Sequence, residues 1–478
     1  MGYKKDADFD TVDEVVDRWL CTSCGACAGV CPHDSIEMKI DEYGIYVPEI
    51  DEESCIGCGL CVQVCPGHEF DYVEHQKSIF GTLPENVALG NHRKIYAGYT
   101  NIEDILEQVQ SGGFVSTFLL CCLEKGVIDG AVVTKWKEDS PFEPKTYIAR
   151  DKEEVMKSVG SKYNPVPAAS IIETILEEEG KFAFVGTSCQ IQGMRKAEKI
   201  YPELVEKIRI YIGLHCLGVF TYHFHDQMCH KIGKSKDEIK YFRFRSKEWR
   251  GWPCDMRMET KDGETFDIDA SKSRLNPRPF FTDWRCKLCF DKANEFSDIS
   301  CGDCRIKDVH SKIEAEGYDL KKGVSEFIVR TERGEELVED LISDGYLQVW
   351  EVEPKKIASS IGMEKKLGIE FFFKIAKYFN RGVPKYGVEF YHPDHHQSLK
   401  RKILEPWTIL WSFNNFYLCY GLNKFKFFRA LLKRTPHSFF EIVKTLGKNL
   451  TYWEILKTSN SLGRRILAQK DEEDSNKG

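Results

Sequence analysis

The sequence contains no uninterrupted apolar run that would cross a membrane, and it does not open with the basic and apolar leader of a secreted protein. Its first residues, MGYKKDADFD, are polar. A charge-free window from Pro406 to Asn423 approaches spanning length, but Asn414, Asn415 and Gly421 interrupt it. The chain has 478 residues, of which 42% are hydrophobic, and this is enough to build about two to four ordinary domains. We therefore expect a cytoplasmic globular protein.

Outside one segment, the chain as a whole has no excess of positive charge. The net charge is −8, yet residues 397–470 hold 14 Lys and Arg against three Glu, together with 13 Phe, Tyr and Trp. The remainder is acidic, which argues against nucleic-acid binding there. Residues 397–478, called the tail, are expected to form amphipathic helices. Their basic and aromatic composition predicts contact with the inner face of a membrane or with an acidic partner. The alternative is a helical cap that packs on the body and has a solvated basic face.

The cysteines are not spread along the chain as a disulfide framework would be. Nineteen are present, and they gather in CxxC groups, which indicates a reducing compartment. Two runs share the spacing C-x2-C-x2-C-x3-C-P: CTSCGACAGVCP from Cys21 and CIGCGLCVQVCP from Cys55. In a two-cluster ferredoxin, the fourth cysteine of each run binds the cluster of the other run. Zinc sites usually combine two CxxC pairs, so the doubled run argues against zinc.

The spacing therefore predicts two 4Fe–4S clusters. The first ligand set is Cys21, Cys24, Cys27 and Cys65. The second ligand set is Cys55, Cys58, Cys61 and Cys31.

A parallel βαβ unit is predicted further along the chain. Strand KFAFV, turn GTSC, helix QIQGMRKAEKI and strand IRIYI follow one another, in the order of a right-handed crossover. Cys189 and Cys216 follow the two strands, so we expect their thiols to meet at the carboxyl edge of the sheet. Cys286 and Cys289, in RCKLCFD, complete a set of four that suits a third 4Fe–4S cluster.

Two alternatives to this third set remain open. Cys189 and Cys216 are buried structural thiols in one of them, because free cysteine is among the most buried residue types. In the other, Cys301 and Cys304 of the segment CGDC compete as ligands. The following segment, from Phe327 to Val352, is expected to consist of short alternating strands that close the fold.

Three short segments could contact a phosphate or a ring. SGG precedes an apolar helix whose N-terminus offers free N–H donors, although Ser is also a common N-cap. GSKY supplies a Lys that could pair with phosphate and a Tyr that could stack, or both are surface residues. GT follows strand KFAFV and is equally a simple turn. The residues concerned are Ser111, Gly112, Gly113, Ser161, Lys162, Tyr163, Gly186 and Thr187.

Several motifs in this order resemble the beta subunits of coenzyme F420 hydrogenases and dehydrogenases. They are SGGFVSTFLL, GSKYNPVPA, VGTSCQIQGMRK, IGLHCLGVFTY, FRSKEWRGWP and WRCKLCFDKANEFSDISCGD, between Tyr96 and Val352. The resemblance implies a bound FAD beside a 4Fe–4S cluster held by Cys189, Cys216, Cys286 and Cys289. It makes the SGG, SKY and GT residues expected flavin contacts, and it places Arg245 and Trp252 near the flavin or its substrate as catalytic candidates. Ser188 stands where the family commonly has Pro.

The predicted fold class is α/β and α+β, with a two-cluster ferredoxin-like head, a mixed α/β flavin-binding body containing a parallel βαβ unit, and a helical tail. The expected boundaries are a polar lead (1–16), the head (17–80), the two parts of the body (81–177 and 178–352), a linker (353–396) and the tail (397–478).

Three functions are compatible with this reading. In the first, the chain couples hydride exchange, with coenzyme F420 as the expected substrate, to single-electron transfer through 4Fe–4S clusters. In the second, electrons arrive from ferredoxin and the flavin reduces an organic substrate such as a lipid-linked or polysaccharide-pathway intermediate. In the third, the chain is a non-catalytic electron relay within a larger complex. Each of them requires a redox partner, either ferredoxin or another oxidoreductase subunit.

Overall fold

The two cysteine runs fold into the head around a two-stranded sheet. The computed structural model describes residues 9–361, 369–378 and 380–388, so the predictions for the tail lie outside the described residues. The elements in and before the head are α1 (Val12–Asp17), α2 (Ala26–Gly29), β1 (Ile36–Ile40), β2 (Tyr46–Ile50), α3 (Leu60–Gln63) and α4 (Tyr72–Phe80). Strands β1 and β2 are antiparallel, with Ile36 opposite Ile50. Helices α2 and α3 each begin after a left-handed glycine, Gly25 (φ 85°) or Gly59 (φ 75°), which turns the chain tightly around the thiols.

The first part of the body alternates strands and helices. Its elements are β3 (Lys94–Thr100), α5 (Glu103–Gln108), α6 (Phe114–Glu124), β4 (Gly130–Trp136), β5 (Pro144–Ala149), α7 (Lys152–Lys157) and α8 (Ile172–Glu177), with a 3-10 turn at Ala168–Ile171. The helix predicted after SGG is α6.

The second part contains the remaining strands. Its elements are β6 (Phe182–Thr187), α9 (Ser188–Ala197), α10 (Glu203–Lys207), β7 (Ile208–Leu214), α11 (His223–Lys231), β8 (Ile239–Ser246), β9 (Asp255–Thr260), β10 (Thr265–Ile268), α12 (Arg278–Phe281), β11 (Ile299–Asp303), α13 (Lys307–Ala315), β12 (Ser325–Val329), α14 (Glu332–Ser343) and β13 (Leu347–Glu351). Three 3-10 turns, at Lys236–Glu238, Arg285–Leu288 and Leu320–Lys322, and one π-helical turn at Ser271–Leu275 lie between them.

Eight of these strands form one mixed sheet in the order β13-β3-β12-β11-β7-β6-β4-β5. The central strands β11, β7, β6 and β4 are parallel, and the strands on either side pair antiparallel. The predicted βαβ unit is confirmed, since β6 and β7 are parallel with Thr187 opposite Leu214, and α9 lies between them in the chain. The body is therefore a mixed α/β fold, as expected.

Both faces of the large sheet are covered. Alternate residues of β6 pack into different clusters: Phe182 and Phe184 face the cluster that contains Met194 of α9, whereas Ala183 faces the one that contains Phe118 of α6. This alternation explains why the strand is apolar at nearly every position. Strands β8, β9 and β10 form a separate three-stranded antiparallel sheet.

The prediction of short strands from Phe327 to Val352 is wrong in its middle, where α14 forms. Leu337, Val338 and Leu341 are buried at helical spacing, and the Thr331 side chain accepts a hydrogen bond from the N–H of Gly334 at the start of the helix. An N-cap and a 3.6-residue apolar repeat favour a helix over the strand alternation. β12 and β13 flank it as expected.

The head and the body share one hydrophobic core. The cluster that contains Leu20 and Phe70 of the head also contains Ile172, Trp284 and Phe296 of the body. Arg285 is buried and donates hydrogen bonds to the carbonyls of Leu20, Pro66 and Gly67. The head therefore depends on the body for part of its packing.

The segment predicted as a linker contains α15 (Pro354–Ile361) and α16 (Ile369–Tyr378). Residues 380–388 follow and hydrogen-bond to the head: the N–H of Phe70 donates to the carbonyl of Lys385 (2.8 Å), and the N–H of Tyr72 donates to that of Tyr386 (3.0 Å). Within the described residues, no helix has the length and apolar character needed to span a bilayer.

Candidate functional site

The structure brings together the four cysteines of the first predicted set. Burial and then the neighbouring thiols raise the pKa of Cys24 to about 11, and the same causes raise the pKa of Cys21 and Cys27. Cys65 of the second run acts on all three of these thiols. This is the crossover arrangement expected for a two-cluster head.

The second predicted set lines a cavity at the surface of the head. Cys31, Cys55, Cys58 and Cys61 all face this cavity, and all four are free thiols. Burial raises the pKa of Cys61 to about 11. The exposed residues Pro32 and His33 also line the cavity.

The third predicted set lies at the carboxyl edge of the large sheet. Cys189 and Cys216 each stand two residues beyond the paired strand ends Thr187 and Leu214. Burial, followed by the thiols of Cys24, Cys216 and Cys286, raises the pKa of Cys189 well above its usual range. Burial also raises the pKa of Cys216, and Cys289 is among its charged neighbours.

Cys301 and Cys304 do not join this set. Cys301 packs into the hydrophobic cluster that contains Phe118, and Cys304 packs into a different one that contains Leu89. Burial raises the pKa of both thiols to about 12.

The three cysteine sets fit 4Fe–4S clusters by their donor chemistry. Each supplies four sulfur ligands, the number that the cluster requires. Burial, and after it the neighbouring thiols, disfavours the thiolate form of Cys27 and Cys189, and a cationic iron core would favour that form again. Among the described residues, no three His, Cys, Asp or Glu side chains are arranged to hold a single metal ion.

The sets follow one another in the order third, first, second. The sulfur of Cys189 lies 3.9 Å from the carbonyl oxygen of Thr22 in the first run, and a Cβ added to Gly193 of α9 would lie 3.5 Å from the sulfur of Cys24. Cys61 of the second set is one of the thiols that raise the pKa of Cys27 in the first set. The succession therefore begins in the body, continues through the first run, which packs against the body, and ends at the second run on the surface of the head.

The region beyond the carboxyl ends of β6, β7 and β11, here called the crevice, is a candidate cofactor site. Strands β6, β7 and β11 end there at Thr187, Leu214 and Asp303. Leu214 and Leu217 are 37% and 40% exposed although β7 is a central strand. Open parallel sheets bind ligands beyond the carboxyl ends of their strands, and apolar side chains line most such sites.

Arg245 faces this edge and is 5% exposed. Its Nη1 lies 2.7 Å from Oδ2 of Asp303 and 3.5 Å from the hydroxyl of Tyr163, while Nε and Nη2 have no hydrogen-bond partner among the described residues. Burial alone would raise the pKa of Asp303, but the guanidinium outweighs it and the pKa is lowered. Trp252 also has an unpartnered buried donor, Nε1, among these residues. The Nε and Nη2 donors of Arg245 suit a polar ligand in the crevice, while the ring of Trp252 lies edge-on to His310 of α13.

The SGG turn lies beside the crevice, where the side chain of Ser111 neighbours Asp303. The Ser111 hydroxyl donates to the carbonyl of Val324 at 2.9 Å. A Cβ on Gly112 would lie 2.5 Å from the carbonyl oxygen of Gly98, and Gly113 has a φ of 83°. Backbone packing therefore accounts for both glycines.

Two lysines, Lys162 and Lys247, lie on the segments that pack beside this turn. The N–H of Ser161 donates to Oε1 of Gln110 at 2.9 Å, which fixes the SKY segment beside the turn. Burial and then Arg243 lower the pKa of Lys162 to about 7. Lys247 donates to the carbonyl of Ser111 at 3.2 Å, and burial lowers its pKa to about 8. An anionic group would relieve the charge crowding here.

Gly186 and Thr187, also predicted as flavin contacts, lie beside the third cysteine set. The Thr187 hydroxyl lies 3.5 Å from the sulfur of Cys189, and Thr187 caps α9 in a box with Gln190. Gly186 accepts a hydrogen bond from Nδ2 of Asn294 at 2.9 Å.

Sequence reasoning missed Asp303, Lys247 and Arg243. Asp303 ends strand β11, so the strand-end argument that selected Cys189 and Cys216 would also have selected it. The lysine and the arginine lie on or beside β8 and carried no such signal.

Comparisons with known proteins match both the body and the head of the chain. The family model for the N-terminal part of the coenzyme F420 hydrogenase/dehydrogenase beta subunit matches residues 95–173, and the model for the C terminus of the same beta subunit matches residues 179–355. A 4Fe–4S dicluster domain model matches residues 20–68.

Three of the named relatives show the extent of the similarity. The beta subunit of coenzyme F420 hydrogenase from Methanosarcina barkeri is 25% identical over 61% of this chain and 90% of its own length. One of the subunits of the F420H2 dehydrogenase from Methanosarcina mazei is 27% identical over 77% of this chain and 96% of its own length. The coenzyme F420-dependent sulfite reductase from Methanocaldococcus jannaschii is 28% identical over 68% of this chain but only 46% of its own length.

Proposed function

Because the chain belongs to the family of coenzyme F420 hydrogenase/dehydrogenase beta subunits, with a 4Fe–4S dicluster domain at its N-terminus, we propose that it exchanges hydride with coenzyme F420 at a bound FAD and passes single electrons through three 4Fe–4S clusters. The chain is an iron–sulfur oxidoreductase subunit. The observation that carries the proposal is the succession of three four-cysteine sets, which begins beside the crevice and ends at the surface of the head.

The third cysteine set links the two kinds of chemistry. Cys216 follows Leu214 at the crevice, and Cys189 contacts the first run of the head. A flavin, when bound, exchanges hydride on one side and single electrons on the other. The residues of this chain would hold it next to a single-electron carrier.

Arg245 would act as a positioned donor. The bond to Asp303 fixes the guanidinium and leaves Nε and Nη2 directed to other acceptors. A guanidinium that is already held loses less conformational entropy when it binds a ligand. Lys162 and Lys247, whose pKa values are lowered by burial, would become fully protonated beside phosphate.

The segment from Ser161 to Ala169 would couple the crevice to the head. Tyr163 lies beside Arg245, and the N–H of Ala169 donates to the carbonyl of Cys24 at 2.9 Å. One short piece of chain therefore contacts both the candidate cofactor site and the first cysteine set.

The proposed electron transfer also requires a partner protein that accepts or supplies the electrons. The named relatives from the two Methanosarcina species are subunits, and we propose that this chain also works with a redox partner, either ferredoxin or another oxidoreductase subunit.

Anaerobic reduction tests the proposal. Purified chain loaded with iron, sulfide and FAD is mixed with reduced coenzyme F420, NADH, NADPH or reduced ferredoxin, and the visible spectrum is followed. We expect about twelve iron atoms and one flavin per chain, with bleaching by reduced coenzyme F420. A fully iron-loaded chain that binds no flavin contradicts the proposal. Reduction by ferredoxin without any response to reduced coenzyme F420 favours an organic substrate instead.

A further inference from the structure

The loop that carries the second cysteine run forms an exposed tip on the head. Ile56 is 64% exposed, the largest exposed fraction among the large hydrophobic residues described. A Cβ added to Gly57 or Gly59 would meet no atom within 4 Å, so the space beside the loop is open. An exposed isoleucine beside four thiols is the kind of apolar contact point that a partner protein covers.

The surroundings of this tip are strongly acidic. Residues 31–59 contain eight Asp and Glu and one Lys, Lys39. That lysine already pairs with Glu37 and Glu49 on the β1–β2 hairpin. Asp34, Glu52 and Glu53 are exposed on the segments that carry the cavity. The negative charge of the tip is therefore uncompensated by cations of its own loop.

We propose that Asp34, Glu52, Glu53 and Ile56, together called the docking tip, bind a one-electron carrier protein with a basic surface. The inference rests on the proposed function only in requiring a cluster in the second cysteine set. One electron passes between that cluster and the carrier, in either direction, without transfer of a proton or formation of a bond. The acidic ring steers the encounter, and Ile56 supplies the apolar centre of a small transient interface.

Stopped-flow mixing tests the docking tip without using the flavin. The clusters of the full-length chain are reduced with dithionite, the excess is removed, and the chain is mixed with a basic c-type cytochrome at low and high salt. At low salt, we expect E52K/E53K to lower the second-order rate constant about tenfold and to flatten its salt dependence. Ile56→Gln should lower the rate about threefold at every salt concentration, because it removes apolar contact and no charge.

The matched control is E314K/E336K, which makes the same charge change on exposed residues of α13 and α14. We expect its rate constant to stay within about twofold of wild type. Iron content, measured on every variant, shows whether the clusters are retained. If E52K/E53K loses iron, the milder pair E52Q/E53Q takes its place, and at low salt it must lower the rate constant more than the control pair E314Q/E336Q does.

Equal rates for wild type and iron-replete E52K/E53K would overturn the docking tip. An equal loss in the control pair would overturn it as well, because only the net charge would then matter. Neither result depends on the binding of flavin or coenzyme F420. Conversely, a chain that binds no flavin but shows the expected salt dependence would contradict the proposed function alone.

Discussion

The two cysteine runs of the head share a spacing but have opposite surroundings. In the first run, a Cβ on Gly25 would lie 2.7 Å from the carbonyl oxygen of Pro167 in the body, whereas the equivalent Gly59 of the second run faces open space. Thr22 of the first run contacts Cys189, while its counterpart Ile56 is 64% exposed. The repeat thus supplies two similar cluster sites, of which the body covers the first. For this reason we propose internal electron transfer for the first site and exchange with partners for the second.

The largest expected effect comes from removing one ligand from each run. In Cys24→Ala, electrons from reduced coenzyme F420 should stop at the third cluster, because the first set connects the other two. In Cys58→Ala, the third and first clusters should still be reduced. EPR spectra of samples frozen after reduction distinguish the two patterns. Equal reduction of the second cluster in wild type and Cys24→Ala would contradict the order of the sets.

The equivalent glycines of the two runs, Gly25 and Gly59, should differ in how much their substitution by alanine destabilises the fold. Gly59→Ala should cost about 1 kcal/mol of unfolding free energy, because alanine resists the left-handed backbone. Gly25→Ala should cost about 2–4 kcal/mol, because a clash with Pro167 is added to that strain. Denaturant unfolding of the two loaded variants measures the difference. If Gly25→Ala were no less stable than Gly59→Ala, the head would not be packed as described.

A third test separates the crevice from both runs. Arg245→Ala should lower flavin affinity about tenfold or more, because it removes the buried guanidinium, while iron content stays unchanged. Arg245→Lys should restore part of the loss, since it returns the charge without the planar donors. Flavin binding is measured by fluorescence quenching and iron by colorimetric assay. Unchanged flavin affinity in Arg245→Ala would remove this residue from the site.

The smallest expected effect concerns pH. The pKa of Lys162 is lowered to about 7 in the folded chain, so above pH 7 the unfolded state binds more protons than the folded state. The unfolding free energy of the flavin-free chain should therefore gain a rising contribution from about pH 7 upward. Lys162→Met should flatten that slope, whereas the exposed control Lys152→Met should not. Identical slopes for Lys162→Met and wild type would show that Lys162 is not desolvated.

Sequence reasoning reached the cysteine sets because cluster ligands follow local spacing rules and because parallel strands end at one edge. It reached Arg245 and Trp252 only through family resemblance. The ion pair between Arg245 and Asp303 depends on the order of the strands in the sheet, which a local sequence pattern does not reveal. The sharing of the Phe70 core between head and body was missed for the same reason, since its contacts join distant parts of the chain. Helix α14 was missed although its apolar residues have helical spacing.

We propose above that a third cluster in the body lies directly beside the first cluster of the head. EPR spectroscopy of the dithionite-reduced, iron-loaded chain tests it, because neighbouring paramagnetic clusters broaden each other's signals. We expect three interacting clusters in the wild type. In Cys286→Ala, about four iron atoms should be lost, and the first cluster should lose one of its two magnetic neighbours. Two clusters in the wild type, or a spectrum that Cys286→Ala leaves unchanged, would contradict the account.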